Sequence, residues 1–399
     1  MKILVMASTF PSGDLDGSRP RFVYDLAEAL TSHADVIVLA PHHPGAAKRE
    51  RMGSVDVERF RYWLPASAQR LTPNMRQQLA ASLLAKLQVV PFFCSEIRSL
   101  RRLAKRRAVD VVNAHWIIPQ GLCAAVVRGL LGGRFRLVVH VHAGDVYMLS
   151  KMPGGRWIAR YVLSHTDRLF ADGTHVRDTL DELVGYESGA VLQPMGVNRN
   201  LFTSSRAGEP PESRAFPEGF ILFVGRFVEK KGAVYLIRAF GRLRERGRSG
   251  LGLVLVGSGP EEGNLRNEVQ ALGLGDSVRF VGHRTHDEVV GYLQHCRVSA
   301  VPSIVDRKGE TEGMPTVVVE AMASGVPVVG SAVDGIPDVI RHGENGWLCR
   351  QKDPDDLAEI LETALDDSER AEIAKAARDT AEHYDWTRIA RRYAVALRT

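Results

Sequence analysis

The sequence predicts an α/β protein of two similar domains, each a parallel sheet with helices on both faces. Three observations carry this. Residues 2–40 run as a buried strand, a glycine-containing loop, an amphipathic helix and a second strand, which is a βαβ opening. The same strand–loop–helix succession starts again at Phe220. At 399 residues the chain is also too long for one ordinary core.

In the first half, Lys2–Ala7 reads as a strand, Arg21–Leu30 as a helix and Asp35–Ala40 as a strand. The loop between the first two carries Gly13 and Gly17 but no G-x-G-x-x-G, so a dinucleotide fingerprint is not supported. Asp14-Leu-Asp16 in that loop has a metal-like spacing without a third ligand nearby, and it reads as solvated loop. Leu79–Phe93 is expected to be helical. After it come Arg98, Arg101, Arg102, Lys105, Arg106 and Arg107, a basic stripe that suits either a solvated face or an anionic lipid surface. Asp110–Trp116 and Leu137–Asp145 both read as strands ending in polar clusters, which contain His115 and His142 with Asp145. Ligands of open α/β sheets bind beyond the carboxyl ends of strands, so His115 and Asp145 are weak acceptor-side candidates and His142 a stronger site residue. Short strands follow at Arg168–Asp172 and Ala190–Asn198. Residues 201–218, rich in Ser, Pro, Gly and Glu, read as a linker. The expected division is therefore 1–200, completed by 384–399, and 219–383.

In the second half, strands are expected at Phe220–Val224, Leu251–Val256, Val278–Gly282, Val298–Ser303 and Val326–Gly330. Their carboxyl ends face the side of Arg226, Lys231, Gly257, Gly282, His283 and Arg284. The stretch Glu310–Gly325 reads as a loop feeding a helix. Pro315 suits a first turn and Gly325 a stop, while Val317–Val319 favour a strand; the flanks decide for a helix. Glu312 then precedes the helix N-terminus and Glu320 lies within it. Backbone N–H groups along Gly313, Met314, Pro315 and Thr316, Pro315 itself having none, form an anion site there. Two carboxylates beside an anion site suit a ligand with phosphates and hydroxyls, such as a nucleotide sugar. Residues 354–383 are expected to be helical, and 386–398 to form a last amphipathic helix.

The charge is uneven. Residues 1–200 hold 26 Lys+Arg against 17 Asp+Glu, and the rest hold 26 against 30. The first half thus faces something anionic, but no nucleic-acid motif is present. The four cysteines have no metal or redox spacing, which suits buried thiols in a reducing compartment. No apolar run reaches the ~20 residues of a membrane span. A cytoplasmic protein, at most peripheral on the inner face of a membrane, is expected.

Gly225-Arg226…Lys231-Gly232, Gly257-Ser-Gly-Pro260, Glu312-x7-Glu320 and Gly335-Ile-Pro-Asp-Val-Ile340…Gly343-Glu-Asn-Gly346 together resemble the retaining family 4 glycosyltransferases, the glycosyl transferases group 1. His142-Ala-Gly-Asp145 and Pro194-Met-Gly-Val197 match the family's first-domain signatures. The resemblance spans essentially the whole chain. It implies the GT-B fold, two Rossmann-like domains facing each other across a cleft, with the last helix crossing back to the first domain. It implies a nucleotide-sugar donor on the second domain and a glycan or lipid-linked acceptor on the first. Arg226 and Lys231 match the residues at the donor pyrophosphate, Glu320 the one at the ribose, Glu312 the one near the transferred sugar and His142 the one near its C6 hydroxyl. Gly17-Ser18 stands where many members have Gly-Gly, and is expected to approach the donor phosphate.

The expected activity is a metal-independent, retaining hexosyltransferase using a UDP- or GDP-sugar, without a cofactor, in cell-surface polysaccharide or glycolipid synthesis. No residue reads as a strong nucleophile, which suits a front-face mechanism. Alternatives are another GT-B chemistry, such as a sugar phosphate synthase or a nucleotide-sugar epimerase, or a silent nucleotide-sugar binder.

Overall fold

The structure, a computed structural model, describes residues 1–13, 21–72, 75–203 and 208–398. Two units share the chain. The first takes residues 1–172, 176–193 and 386–399; the second takes 173–175 and 194–385. Asp14, Asp16, Gly17 and Ser18 lie outside the described residues.

The first unit is built on β1 (Lys2–Met6), β2 (Asp35–Pro41), β3 (Arg49–Met52), β4 (Val55–Phe60), β5 (Val111–His115), β6 (Arg136–Val141), β7 (Arg168–Ala171) and β8 (Val191–Leu192). Their order is β3-β4-β2-β1-β5-β6-β7-β8, parallel except for the β3–β4 pair. Ile3 to Ala7 are fully buried, and that continuous apolar run is what a strand covered on both faces requires. The order reverses between β1 and β5. The carboxyl-terminal side of such a reversal leaves a crevice, and His115 ends β5 there.

The second unit repeats the plan with β9 (Phe220–Val224), β10 (Gly252–Val256), β11 (Val278–Gly282), β12 (Val298–Val301), β13 (Val328–Ser331) and β14 (Trp347–Cys349). The order is β11-β10-β9-β12-β13-β14, parallel throughout, with its reversal between β9 and β12. Pleating sorts its side chains into two cores. Ile221, Phe223, Leu253 and Leu255 join the core of helix Ala233–Glu245. Phe220, Leu222, Val254 and Val256 join that of helix Thr316–Ala323.

Several elements differ from expectation, each for a local reason. The stretch 79–93 is not one helix. Ser82 accepts a bond from the Ala85 N–H, ends Met75–Ala81 and starts Leu83–Leu87; a longer helix then runs Val89–Arg107 and carries the whole basic stripe. Residues 354–383 divide at Asp366, whose backbone is extended. β3 and β4 were masked in the sequence by the polar run Arg49-Glu50-Arg51 on an exposed edge.

The boundary between units also falls elsewhere. From Pro194 the chain goes with the second unit, where the Val197 N–H bonds the Tyr384 carbonyl at 2.8 Å. Phe202 and Phe216 sit buried in its core, so much of the stretch read as linker is packed wall; its polar composition hid two aromatic anchors. The last helix, Trp386–Arg398, belongs to the first unit. It packs on Phe22–Leu30, and Arg136 bonds the Leu397 carbonyl at 3.2 Å. Among the described residues no helix is long and apolar enough to cross a membrane.

Leu222→Ala, in the middle of β9 and fully buried, is expected to lower unfolding free energy by about 2–5 kcal/mol. Leu83→Ala, at 75% exposure, is expected to change it by less than about 0.5 kcal/mol. Urea titration of the two variants checks this; equal effects would contradict the burial assignment.

Candidate active site at a topological switch point

The strongest cluster lies in the second unit, beyond the carboxyl ends of β9 and β12. β9 runs out into Gly225 and Arg226, and the loop closes through a short turn at Glu229–Lys231. Gly232 follows with φ +66°; a Cβ there would collide with the Pro302 carbonyl just past β12. The Ile304 N–H bonds the Lys230 carbonyl at 2.8 Å. These two contacts clamp the loops on either side of the switch point together, which requires glycine at 232.

Glu312 is the centre of the cluster. Its Oε1 lies 3.1 Å from Lys230 Nζ and its Oε2 lies 2.6 Å from Lys231 Nζ. Burial alone would push this carboxyl up, but the two ammonium groups win and hold it down at about 2. Lys230 Nζ also donates to the Thr311 carbonyl at 3.0 Å. Among the described residues Arg226 has no ion-pair partner and is exposed. Two ammonium groups thus stand with one carboxylate, leaving an excess of positive charge on the loop that also carries Arg226.

The loop after Glu312 is fixed from behind. The Gly335 N–H bonds the Gly313 carbonyl at 3.1 Å, and no side chain larger than glycine's fits at 335 against that carbonyl. Helix Thr316–Ala323 starts immediately after, with Pro315 as its N-cap and no side-chain cap. The Val318 N–H bonds the Pro315 carbonyl at 3.1 Å, and the N–H groups of Thr316 and Val317 before it lie ahead of the intrahelical ladder. Met314 and Pro315 are buried beneath them. Val317, Val318 and Val319 are buried too, so packing overrides the strand preference of three branched residues. Glu320 sits in the second turn, with His286 Nε2 3.7 Å from its carboxylate.

Gly257 and Gly282 meet beside the same loop. Gly257 has φ +140°, donates to the Gly282 carbonyl at 2.9 Å, and would strike the Gly225 carbonyl if it carried a Cβ. Arg284 turns toward its own helix, where Glu288 lies 3.7 Å away and Tyr292 also bonds it. His283 precedes it, exposed or nearly so, at the edge of the cluster.

His142, His115 and Asp145 form a separate cluster in the first unit. Asp145 uses both oxygens on backbone N–H groups, Oδ2 on Ile117 at 2.5 Å and Oδ1 on His142 at 3.0 Å. Burial pushes its carboxyl up to about 6. It is a clamp between the end of β5 and helix Ala143–Lys151. His115 is wholly buried, and burial first, then neighbouring His142, keeps its imidazole neutral. His142 Nδ1 lies 3.1 Å from Asp172 Oδ2, and its Nε2 lies 3.2 Å from His115 Nδ1. His115 Nε2 in turn meets the Asn113 amide at 3.4 Å, and Tyr393 of the last helix donates to Asn113 at 3.0 Å. The chain runs in one direction when His115 Nδ1–H donates to His142 Nε2 and His142 Nδ1–H donates to Asp172. Phe22 and Trp116 flank His142, with ring centroids at 5.4 and 5.1 Å. Trp116 holds φ +76°, a costly conformation for a bulky residue and one that concentrates at functional sites.

The structure thus gathers Arg226, Lys231, Gly257, Gly282, Glu312, Gly313 and the start of the 316–323 helix in the second unit, and His115, His142 and Asp145 in the first. Sequence reasoning missed Lys230, Asp172, Asn113, Tyr393 and His140. His140 near the end of β6 and His142 just past it, two residues apart in extended backbone, were the available signal, since such residues share a face. Lys230 was visible as the neighbour of Lys231, but a pair of lysines has no motif that says both reach one carboxylate.

Comparison with known proteins bears on the whole chain. The family model described as glycosyl transferase 4-like domain matches residues 20–195, and that described as glycosyl transferases group 1 matches residues 210–380. WcaL of Salmonella typhimurium, named as a glycosyltransferase of colanic acid biosynthesis, is 30% identical over 304 residues, 73% of this chain and 70% of the relative. A Mycobacterium tuberculosis protein named GDP-mannose-dependent alpha-(1-6)-phosphatidylinositol monomannoside mannosyltransferase is 27% identical over 276 residues, 68% of this chain and 71% of the relative. Among solved structures, Anabaena HepE in complex with UDP superposes with a TM-score of 0.73 at 20% identity, covering 100% of both chains. Sucrose-phosphate synthase from Thermosynechococcus elongatus gives 0.73 at 22%, covering 100% of this chain and 98% of that one; both likenesses speak for the fold. Matched along both halves, the chain belongs to the glycosyl transferases group 1 family and is a glycosyltransferase of the GT-B type.

Proposed function

We propose that the chain is a retaining hexosyltransferase that moves a sugar from a UDP- or GDP-sugar to a glycan or lipid-linked acceptor in cell-surface polysaccharide or glycolipid synthesis. The observation that carries this is the placing of Lys230 and Lys231 on Glu312, on the loop that also carries Arg226 and beside a helix N-terminus without a side-chain cap. The names of the relatives from Salmonella and Mycobacterium, and the UDP bound to HepE, support a nucleotide-sugar donor.

Breaking a sugar–phosphate bond requires stabilisation of the charge that develops on the departing diphosphate. Fixed cations and backbone dipoles supply it when they are oriented beforehand. Arg226, Lys231 and the first-turn N–H groups at 314–316 take that part, with Gly257, Gly282, Gly313 and the His283–Arg284 edge shaping the nucleotide side. Gly17 and Ser18 are kept as further phosphate contacts. Glu320 is assigned to the ribose. These cations make a divalent metal unnecessary for charge neutralisation. Glu312 holds the two ammonium groups in position before the donor arrives. Its carboxyl, held at about 2, stays ionised at working pH and cannot serve as a general acid. Both its oxygens are taken by lysines, which makes it a poor nucleophile. The resemblance to the retaining family 4 enzymes implies a front-face path, in which the leaving phosphate helps deprotonate the acceptor, and a Glu312 held between two lysines is compatible with it. His142 is assigned to the transferred sugar; a hydroxyl that bonds its Nε2 displaces His115. The first unit takes the acceptor, and the basic face of helix Val89–Arg107 is assigned to an anionic membrane surface.

Arg226→Ala and Lys231→Ala are each expected to lower kcat/KM about a hundredfold, ~3 kcal/mol, in radiolabelled-donor transfer assays containing EDTA. Wild-type rates unchanged by EDTA are expected as well. Unaltered transfer in either variant, or loss of transfer with EDTA, would contradict the assignment. Product analysis for a glycoside, rather than a sugar phosphate or an isomerised donor, identifies the reaction.

Glu312→Gln is expected to lower kcat while UDP binding is kept or strengthened, because two ammonium groups lose their anionic partner. The sign with pH follows from the lowered carboxyl: its contribution is present above its ordinary value of 4.5 and is lost only as pH falls through about 2. The activity profile between pH 5 and 9 should therefore show no inflection that Glu312→Gln removes; such an inflection would refute a permanently ionised Glu312.

Binding to phosphatidylglycerol vesicles is expected to weaken as salt is raised and on replacing Arg98, Arg101, Arg102 and Lys105 by Glu. Co-sedimentation that ignores both changes would remove the membrane assignment.

A further inference from the structure

The first unit contains a cavity of about 470 Å³ that the donor chemistry does not use. Its walls are hydrocarbon and aromatic: Leu79, Phe92 and Phe93 on one side, Met148, Met152 and Ile158 on another. Its polar lining is confined to Ser8, Gly144 and Asp145. Asp145 is already committed to the backbone, each of its oxygens accepting one N–H. A glycan needs several convergent donors and acceptors, and beyond Ser8 and Asp145 these walls are almost wholly apolar. The size suits a small organic body buried on most of its surface. Three methionines, Met75, Met148 and Met152, line it, and flexible thioethers adapt to occupants without fixed shape.

Position gives the cavity its meaning. Ser8 follows β1, and Gly144 and Asp145 follow β6, on the carboxyl side of the sheet next to the switch point between β1 and β5. Trp116, which flanks His142, is in its wall. An occupant with an apolar body here would hold a polar head at the histidine cluster. The helix Val89–Arg107 ties the cavity to a surface. Val89, Phe92 and Phe93 face inward. Val90, with Leu83 and Leu87 on the preceding turn, stands 61–75% exposed. Farther along the helix, Arg98, Arg101, Arg102 and Lys105 have no ion-pair partner among the described residues. Exposed leucines beside unpaired cations match an anionic lipid interface.

We infer that this cavity takes the hydrocarbon tail of an amphiphile, so that the acceptor is a lipid-linked molecule drawn from an anionic membrane surface and not a free glycan. This rests on the glycosyl-transfer reading above. Burial of apolar surface supplies the affinity, at about 25 cal/mol per Å², and the tail anchors the head near His142.

The test uses the full chain and a dansyl-labelled undecanoic acid, followed by fluorescence, with dansylglycine as the short control. A Cβ at Gly144 meets nothing within 4 Å, so Gly144→Trp projects an indole toward the cavity without a backbone clash. Met148→Glu places a charge on the wall. Expected are saturable, blue-shifted binding of the long probe, binding of dansylglycine weaker by at least about tenfold, and an equal loss of long-probe affinity in each variant. Thermal stabilisation by UDP, measured on the same samples, should persist in both variants and shows that they are folded. Long-probe binding that is absent, equalled by dansylglycine, or unchanged by both variants overturns the inference while UDP binding keeps the transferase reading intact. Absence of nucleotide binding in the wild type strikes that reading instead.

Discussion

Everything in the second unit converges on one ion-pair arrangement, Glu312 held between Lys230 and Lys231. A nearly buried carboxylate is costly unless cations accompany it, and two ammonium groups crowded together are costly unless an anion separates them. Each side of the arrangement therefore stabilises the other, and neither can be removed alone. The surrounding backbone serves that geometry. Gly232 lets the loop after β9 press on the Pro302 carbonyl, and Gly335 lets the Gly313 carbonyl approach a neighbouring chain. The helix beginning at Thr316 then adds its dipole to the lysines. The result is a rigid positive site whose charges are already aligned when a diphosphate arrives.

The two units use the same topological device for different purposes. Each reverses strand order beside its first strand, and each opens a crevice at that point. In the second unit the crevice is lined by fixed cations. In the first it is lined by histidines, a strained tryptophan and an apolar cavity. A charged leaving group suits the former. A neutral sugar hydroxyl carried on a hydrocarbon tail suits the latter. The hydrogen-bonded chain from Tyr393 through Asn113, His115 and His142 to Asp172 also explains why the last helix belongs with the first unit. Its tyrosine completes the support of His142.

Much of this was legible in the sequence, because glycines and charged residues at strand ends mark function more sharply than core residues do. Five of the second unit's six strands follow from short apolar runs, whereas β14, only three residues long, does not; Arg226, Lys231 and Glu312 stand out against glycine turns. Glu312 itself needed its neighbour. The pairing of Lys230 with the same carboxylate depends on a tight turn at Glu229–Lys231 that no periodicity encodes. The aromatic anchors Phe202 and Phe216 were hidden in a polar stretch, which moved the unit boundary. His115 was legible as a polar strand end, but its full burial was not, since spacing cannot tell a ligand-facing histidine from one stacked between two others. The apolar cavity escaped entirely. It draws on helices from 75 to 107 and from 143 to 164, and only their packing makes a void.

The most direct test of the central claim is the position of the diphosphate in a crystal grown with UDP, or with GDP if that nucleotide stabilises the protein more. The account requires phosphate oxygens within hydrogen-bonding distance of Lys231 Nζ and the Arg226 guanidinium, facing the first turn of the helix at Thr316. A diphosphate bound elsewhere, with Glu312 and both lysines untouched and Arg226 turned to solvent, would contradict it.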